Sequence, residues 1–188
     1  MSIEIVEPRP AWASEYDAIA QRLAAVFGPL ALRIEHIGST SVPGLAAKDI
    51  IDVQVSVASL VLPDALAAAL AEAGLPLVDG LWKDHVPPGA PTDPGEWSKR
   101  YAKPPEDMRE IHVHIRRAGA ANERYARLFR DYLRETPAAA ATYADIKRAL
   151  ARLHPDDVDA YYDVKDPVCD LIVGAAELWA VATGWDRR

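Results

Sequence analysis

The stretch from His36 to Val57, HIGSTSVPGLAAKDIIDVQVSV, carries the strongest local pattern in this chain. It places a loop rich in glycine, serine and proline, Gly38 to Ala47, directly before a strand that we predict over Ile50–Val57. Side chains of a strand alternate between two faces, and here aliphatic residues occupy one of them. The polar residues share the other face: Asp52, Gln54 and Ser56.

A second alternating strand is predicted over Glu110–Arg116, where His112 and His114 share one face. If this strand lies beside the first one in a sheet, the two imidazoles converge with Asp52 and Gln54. The same alternation is also typical of a strand with one solvated face. Two interpretations of Asp52 therefore stay open, a metal-holding catalytic carboxylate and the wet side of a half-buried strand.

The loop before the first strand has the features of an anion-binding turn. Gly38 and Ser39 end a predicted strand over Leu32–Ile37, and Gly44 allows the backbone to turn back. Such a turn points backbone N–H groups and the Ser39 hydroxyl at a phosphate. Phosphoryl chemistry needs these donors together with a carboxylate for the divalent ion. The combination with Asp52 favours a ligand site.

Charge limits the classes of partner. The 188 residues carry a net charge of −7, which argues against a dedicated binder of duplex DNA or of anionic membranes. The segment from Lys99 to Arg117 reverses the sign, with six basic and three acidic residues. This local excess suits a nucleotide or another phosphate-bearing ligand, and mixed charge on a solvated strand and loop is the plainer alternative.

Cys169 is the single cysteine, which excludes an intrachain disulfide, and its apolar neighbours predict a packed core thiol. The N-terminal residues lack a secretory signal. The most apolar segment, Val168–Val181, is too short for a bilayer that takes about 20 apolar residues. We therefore expect a cytoplasmic protein without a membrane span, and the sequence leaves the oligomeric state open.

Apolar spacing and helix-boundary residues predict five helices, of which Pro167 either kinks or restarts the last with Asp166 as its cap. They run from Pro10 to Gly28, from Pro63 to Gly74, over Asn122–Arg134, from Pro137 to Leu153, and onward from Pro155. We predict a single α+β domain over 1–188. A mixed β-sheet with flanking helices occupies about 1–118, and a helical C-terminal third occupies about 119–188.

Residues 80–105 form the longest irregular segment, with six prolines, three glycines, Trp82 and Trp97. Connections longer than about 12 to 15 residues are often functional or mobile. A strand within Trp97–Lys103 would shorten this one, and closure of the segment over a ligand is a hypothesis from its length and composition. The two tryptophans are expected to pack under the loop and are left out of the site.

Several segments together resemble the GrpB family, a group of bacterial proteins mostly without an assigned function. The resemblance rests on IEHIGSTSVPGLAAKDIIDVQV, the HVH strand, LFRDYLRETP and the Tyr143/Lys147 and Tyr161/Lys165 spacings, and runs from about Ile3 to Ala176. It implies a nucleotidyltransferase-like fold, because the family is placed in the nucleotidyltransferase superfamily. Members also occur fused to dephospho-CoA kinase, which points towards nucleotide or coenzyme metabolism.

The superfamily pattern is a Gly-Ser turn, a strand with two carboxylates one residue apart, and a third carboxylate on a later strand. Gly38 and Ser39 match the turn and Asp52 the first carboxylate, while Gln54 falls where the second is expected. His112 or His114 would replace the third. Shifted by one step, Asp52 becomes the second carboxylate and Ile50 replaces the first.

The missing carboxylate predicts weak Mg²⁺ binding without a nucleotide, and the imidazoles favour Mn²⁺ or Zn²⁺. The predicted metal ligands are Asp52, Gln54, His112 and His114, and the predicted catalytic residues are Asp52 and Ser39. The predicted phosphate-binding residues are Gly38, Ser39, Lys48, Arg100, Lys103, Arg130 and Lys147. Two functions remain, a metal-dependent nucleotidyltransferase with an unknown acceptor and a non-catalytic module that binds a nucleotide or a ligand related to coenzyme A.

Overall fold

A four-stranded mixed sheet organises the structure, a computed structural model that describes residues 2–185. The strands are β1 (Ala31–Ile37), β2 (Ile51–Val57), β3 (Lys99–Ala102) and β4 (Ile111–Arg117). Their order across the sheet is β1-β2-β4-β3, with β2 and β4 parallel and the two outer pairs antiparallel. The two strands with polar faces, β2 and β4, are therefore adjacent in the middle of the sheet. This adjacency is the condition under which the sequence predicts that Asp52 and the two histidines converge.

Five α-helices accompany the sheet in the described part of the chain. They are α1 (Ala11–Phe27), α2 (Asp64–Glu72), α3 (Ala121–Glu135), α4 (Pro137–Leu153) and α5 (Val158–Thr183). The predicted α+β class and helical C-terminal part are confirmed. The last helix begins after the Asp157 cap, not at Pro155, and runs through Pro167 without a restart at Asp166. No helix within residues 2–185 has the length and apolar character needed to cross a bilayer.

The aliphatic face of the sheet packs against α1 and α2. Val53, Val55, Val113 and Ile115 are fully buried there, together with Leu23 of α1. Burial of each such side chain contributes about 1.5–3 kcal/mol relative to exposure. Alternation in the sequence thus reports the core side of the sheet correctly.

The polar face of the sheet is also covered, by α3. Gln54 and Ser56 are 0% exposed and Arg116 is 6% exposed. The Glu123 side chain of α3 accepts a hydrogen bond from Ser56 at 2.9 Å, and its backbone oxygen accepts one from the Gln54 amide at 3.2 Å. The polar residues are therefore not the wet side of a half-buried strand. They form a buried network with one open end, at Asp52.

The C-terminal helices form a second apolar cluster with the loop that follows β1. Val42 and Leu45 of the loop pack with Phe129, Tyr143 and Cys169 of α3, α4 and α5. Cys169 is buried, as the sequence predicted. This contact fixes the Gly38–Ala47 loop between the sheet and the helices.

The irregular segment after α2 is held at several points. It contains β3, which confirms a strand within Trp97–Lys103, and a bridge pairs Lys83 with Ser98. Trp97 is buried as expected, whereas Trp82 is 45% exposed and carries the Arg100 guanidinium over its ring at 4.3 Å.

Candidate functional site

The pairing of β2 with β4 brings the predicted carboxylate and histidines together. Asp52 lies opposite His112 and Gln54 lies opposite His114 in the parallel register. Oδ1 of Asp52 is 3.5 Å from Nδ1 of His112 and 3.5 Å from Nε2 of His114. The Asp52 side chain is 24% exposed, so this group is accessible from the cavity described below.

Gly38 is required by its contact with Asp52. Its φ of 69° is in the left-handed region, and a Cβ atom at this position would lie 2.4 Å from Asp52 Oδ2. Only glycine lets the turn approach the carboxylate this closely. The sequence predicted Gly38 as a phosphate contact, and the structure assigns it a different requirement, the placement of Asp52.

The three side chains have the spacing of a metal site. Their ligand atoms all lie within 4.8 Å of one another. A tetrahedral ion with bonds of about 2.1 Å separates its ligand atoms by about 3.4 Å, close to the two distances from Asp52. His112 also has an orienting partner, because Glu110 Oε1 lies 3.3 Å from its Nε2. A carboxylate on the second nitrogen is the usual companion of a metal-binding histidine.

His114 has a less suitable companion. Its Nδ1 lies 3.3 Å from Nη2 of Arg116, and a guanidinium only donates. Nδ1 must then accept, which leaves the proton of the neutral ring on Nε2, the atom that faces Asp52. Asp52 and His112 therefore fit a divalent ion as they stand, whereas His114 fits one only when Arg116 no longer donates to it.

The ionisation of the cluster follows from burial and charge. Burial on its own would raise the pKa of Asp52, but polar contacts with His112 and His114 outweigh it and hold that pKa well below the ordinary carboxylate value. Burial, reinforced by the Arg116 charge, lowers the pKa of His114 to about 4. At neutral pH the site thus presents an ionised carboxylate beside a neutral imidazole of His114.

A buried lysine connects this cluster to the glycine-serine turn. Lys147 of α4 is 2% exposed, and its Nζ donates to Ser39 Oγ at 2.9 Å and to the Ala46 carbonyl at 2.6 Å. Burial, with the nearby Lys165 charge, lowers the pKa of Lys147 to about 7. This lysine is therefore about half ionised at neutral pH. An anionic ligand beside Ser39 would stabilise its charged form, which burial disfavours.

Two further lysines complete what we call the lysine wall, Lys48, Lys147 and Lys165. The Lys48 ammonium donates to the Tyr162 hydroxyl at 3.0 Å and lies 4.8 Å and 4.6 Å from the ring centroids of Tyr161 and Tyr162. Tyr161 is 0% exposed, and its hydroxyl has no hydrogen-bond partner. A buried hydroxyl without a partner is rare in folded proteins.

These groups surround one cavity of about 240 Å³, the Asp52 cavity. It is lined by Ser39, Thr40, Ala47, Lys48, Ile50, Asp52, His112, His114, Lys147, Tyr161, Tyr162 and Lys165. An ionised carboxylate, imidazoles and three lysines thus share a single space. That arrangement is suited to an anionic ligand carried with a divalent ion.

Gln54 does not take part in this cavity. Its Oε1 accepts a hydrogen bond from Arg116 Nη1 at 2.6 Å, and its amide nitrogen donates to the backbone of Glu123. Arg116 is held in turn by Asp84, with Nε 2.8 Å from Asp84 Oδ2. A fixed guanidinium therefore occupies the surroundings of Gln54 in which the sequence predicted a metal.

Four of the predicted phosphate-binding residues lie outside the cavity lining, and the first is Gly38, which contacts Asp52 from the turn. Arg100 pairs with Ile115 in the register, on the aliphatic face, and donates to the Leu60 carbonyl at 3.3 Å. Lys103 follows β3 and is absent from the lining. Arg130 is bound to Asp131 at 2.6 Å, against the outer strand β1. Spacing along the chain does not report which side of the sheet a loop or helix residue reaches.

Sequence reasoning left out Thr40, Tyr161 and Tyr162, and it ranked Lys165 below Lys147. The Tyr161/Lys165 spacing repeats the Tyr143/Lys147 spacing, which was the available signal for α5. Packing of α4 against α5 brings Lys147 and Lys165 to the same cavity.

Similarity to known proteins identifies the family of this α+β chain. The family model described as GrpB protein matches residues 2–174. The chain belongs to the GrpB family. It is similar to a solved structure, the conserved protein GrpB from Enterococcus faecalis, with a TM-score of 0.79 and 35% identity over 94% of this chain and 99% of that one.

Two curated relatives show the range of names in the family. The chain is 36% identical to a dephospho-CoA kinase of Mycolicibacterium paratuberculosis over 97% of this chain and 48% of that protein. It is also 36% identical to a UPF0157 protein of Pseudomonas aeruginosa, over 93% of this chain and 67% of that protein. The chain spans about half the length of the kinase relatives it matches.

Proposed function

We propose that the chain is a nucleotidyltransferase-like enzyme that binds a nucleoside triphosphate with a divalent ion in the Asp52 cavity. The observation that carries this proposal is the shared cavity itself. An ionised carboxylate, placed by the Gly38 turn, faces the lysine wall across about 240 Å³. The net charge of the protein is −7, so a concentration of three lysines in one cavity is a local arrangement that a phosphate chain matches.

Each residue has a defined part in this proposal. Asp52 and His112 would hold the divalent ion, which would supply positive charge to neutralise the phosphate oxygens. Ser39 and Lys147 hold the phosphate chain, and Lys48 and Lys165 balance its charge. The unpartnered hydroxyl of Tyr161 donates a hydrogen bond to a phosphate oxygen.

The reaction exchanges one phosphorus–oxygen bond for another. A hydroxyl oxygen of the acceptor forms a bond to the α-phosphorus, while the bond from that phosphorus to the α,β-bridging oxygen breaks. Pyrophosphate leaves with the electron pair. The hydroxyl proton passes to water, because the low pKa of Asp52 makes this carboxylate a ligand and a poor base.

The second candidate is a module that binds such a ligand without transferring a group. Gln54 favours it, because the second carboxylate is absent and Arg116 is already bound to the amide. The name dephospho-CoA kinase, carried by the mycobacterial relatives, adds coenzyme A and its precursors to the ligands worth testing for either candidate.

Thermal shift measured against nucleoside triphosphates and coenzyme A tests ligand binding. Each ligand is added with Mg²⁺, Mn²⁺, Zn²⁺ or a chelator. A ligand at about 100 times its Kd stabilises a protein by about 2.7 kcal/mol, which is about 5 to 10 °C for this length. We expect a nucleoside triphosphate to raise Tm more with metal than with chelator. The absence of any shift would contradict both candidates.

The Asp52→Asn variant tests whether Asp52 binds the metal. We expect this nearly isosteric change to remove the metal-dependent part of the shift, because a neutral amide is a weaker ligand than a carboxylate. Asp79→Asn is the matched control, since Asp79 is exposed and outside the cavity. Pyrophosphate release then separates the candidates. A wild-type protein that binds triphosphate and metal but releases none with a panel of alcohols and amines is the binding module.

A further inference from the structure

A second, smaller cavity of about 140 Å³ adjoins the first, and we call it the Asn122 cavity. Lys165 lines both spaces. Arg116 lies in the wall of the second cavity and contacts His114 of the first at 3.3 Å. The two cavities are therefore neighbours with a common lysine.

The Asn122 side chain is fixed with one atom unused. Its Nδ2 donates to Asp84 Oδ2 and to the Ser98 carbonyl, both at 2.9 Å. Because both neighbours accept, the amide cannot be turned over without losing both hydrogen bonds. Its Oδ1 has no partner although Asn122 is only 2% exposed. This oxygen is therefore available to accept a hydrogen bond from a donor in the cavity.

The charges around this cavity are already paired. Asp84 lies 2.7 Å from the Lys99 ammonium and 2.8 Å from Arg116 Nε. His85 lies 2.8 Å from Asp170 Oδ2, and Asp170 also accepts from the Tyr125 hydroxyl at 3.1 Å. Lys165, which lines both cavities, lies 3.4 Å from Asp166 Oδ1, whereas Lys48 and Lys147 make no ion pair in the described part of the chain. The unpaired positive charge is therefore on the side of the Asp52 cavity. An uncharged hydroxyl group fits it better than a phosphate does.

We infer that the Asn122 cavity is the acceptor subsite and that the acceptor is a small polyol. One hydroxyl donates to Asn122 Oδ1, and another, on the Lys165 side, is the group that receives the nucleotidyl moiety. This inference rests on the proposed function. Since a water molecule takes about 30 Å³ of liquid, a space of about 140 Å³ holds a glycerol-sized part of the acceptor.

Titration of the ¹⁵N-labelled protein with glycerol tests the subsite directly. The readout is the side-chain amide of Asn122, followed by NMR, and the probes are glycerol, 1-propanol of similar size, and acetate. We expect glycerol to shift the Asn122 amide signals in a saturable way, with 1-propanol and acetate at least tenfold weaker. Equal shifts from 1-propanol or acetate, or no saturable shift with glycerol, would overturn the proposal.

A variant at Cys169, which lines this cavity, tests its occupancy. Cys169→Met fills the space and is expected to weaken glycerol binding at least tenfold, whereas Val181→Met, at an exposed position of the same helix outside the cavity, keeps the binding. Unchanged glycerol binding in a folded Cys169→Met protein, verified by its amide spectrum, contradicts the subsite.

Metal and triphosphate, followed at His112 and His114 in the same samples, keep the two proposals separate. Glycerol binding without metal or triphosphate binding leaves the polyol subsite standing and defeats the transferase. Triphosphate binding without glycerol binding at Asn122 defeats the subsite alone.

Discussion

Gly38 carries two constraints at a single backbone position. Its φ is positive, and the space of its missing side chain is filled by the Asp52 carboxylate. Gly44 in the same loop also has a positive φ, of 78°, but a Cβ there would meet no atom within 4 Å. Substitutions at these two glycines therefore distinguish the cost of backbone strain from the cost of a steric clash with Asp52.

We therefore expect Gly38→Ala to destabilise the protein by about 2 kcal/mol or more and Gly44→Ala by about 1 kcal/mol. Gly38→Ala also displaces Asp52 and so removes the metal-dependent thermal shift, which Gly44→Ala keeps. Urea unfolding and thermal shift measure the two effects. If both variants lost the same stability and both kept the metal-dependent thermal shift, the close approach of Gly38 to Asp52 would not be needed for metal binding.

The lowered pKa of Lys147 predicts how anion binding depends on pH. Burial lowers the pKa of its ammonium to about 7, so this lysine is charged below that pH and neutral above it. An anion in the Asp52 cavity is attracted to the charged form alone. We expect the affinity for sulfate, which does not titrate in this range, to fall several-fold between pH 6 and pH 8.

Calorimetric titration of sulfate into wild type and Lys147→Met, at both pH values, measures this dependence. The variant lacks the ammonium and should bind weakly, with most of the pH dependence removed. Lys83→Met is the control for a general change in charge, since Lys83 is exposed and outside the cavity. An undiminished pH dependence in Lys147→Met would assign the titration to another group.

At the scale of elements, two adjacent strands divide their polar face into an open end and a closed end. Asp52, His112 and His114 lie at the open end, next to the cavity. Gln54, Ser56 and Arg116 lie at the closed end, under α3. The covering helix, not the strand pattern, makes this division, because the alternation is the same along both strands.

Gln54→Glu tests whether the closed end takes part in metal binding. The new carboxylate keeps the shape of the amide and meets the Arg116 guanidinium, already 2.6 Å from Oε1. We expect an ion pair with Arg116 and an affinity for Mn²⁺ within about threefold of wild type, measured by calorimetry. A tenfold or larger increase in metal affinity would show that the second carboxylate position is open to the ion.

At the scale of the whole molecule, the C-terminal helices complete both the core and the site. Lys147 and Lys165 of the Asp52 cavity come from α4 and α5, and Glu123 of α3 closes the polar face of the sheet. The division into a sheet-containing part and a helical part along the sequence does not correspond to a division of the packing.

A chain ending at residue 118 should therefore fail to fold cooperatively. It would expose Val42 and Leu45, which pack against α3, α4 and α5 in the full chain, and burial of each such side chain contributes about 1.5–3 kcal/mol. Circular dichroism during heating, compared with the full chain, measures the outcome. A cooperative transition in residues 1–118 would contradict the prediction of a single domain over 1–188.

Local patterns in the sequence locate the strands and most helix boundaries, the start of the last helix excepted, and they show which strand residues share a face. Alternation in Ile51–Val57 and Ile111–Arg117, and glycine or proline at helix boundaries, are properties of neighbouring residues, so they are visible without a fold. The convergence of Asp52, His112 and His114 was stated as a condition, the adjacency of two strands, and only the sheet order met it.

Tertiary structure alone decided which polar residues remain accessible and which lysines reach them. Arg100 and Arg130 lie elsewhere, while Tyr161 and Lys165 reach the cavity. Strand register sets the position of Arg100, and helix packing sets the other three, across long separations in the chain. It also decided the state of His114, whose ring proton depends on Arg116 two residues along the same strand and on the Asp84 carboxylate that orients it. Local patterns in a sequence report periodicity, whereas burial, hydrogen-bond partners and protonation depend on neighbours that only the folded chain supplies.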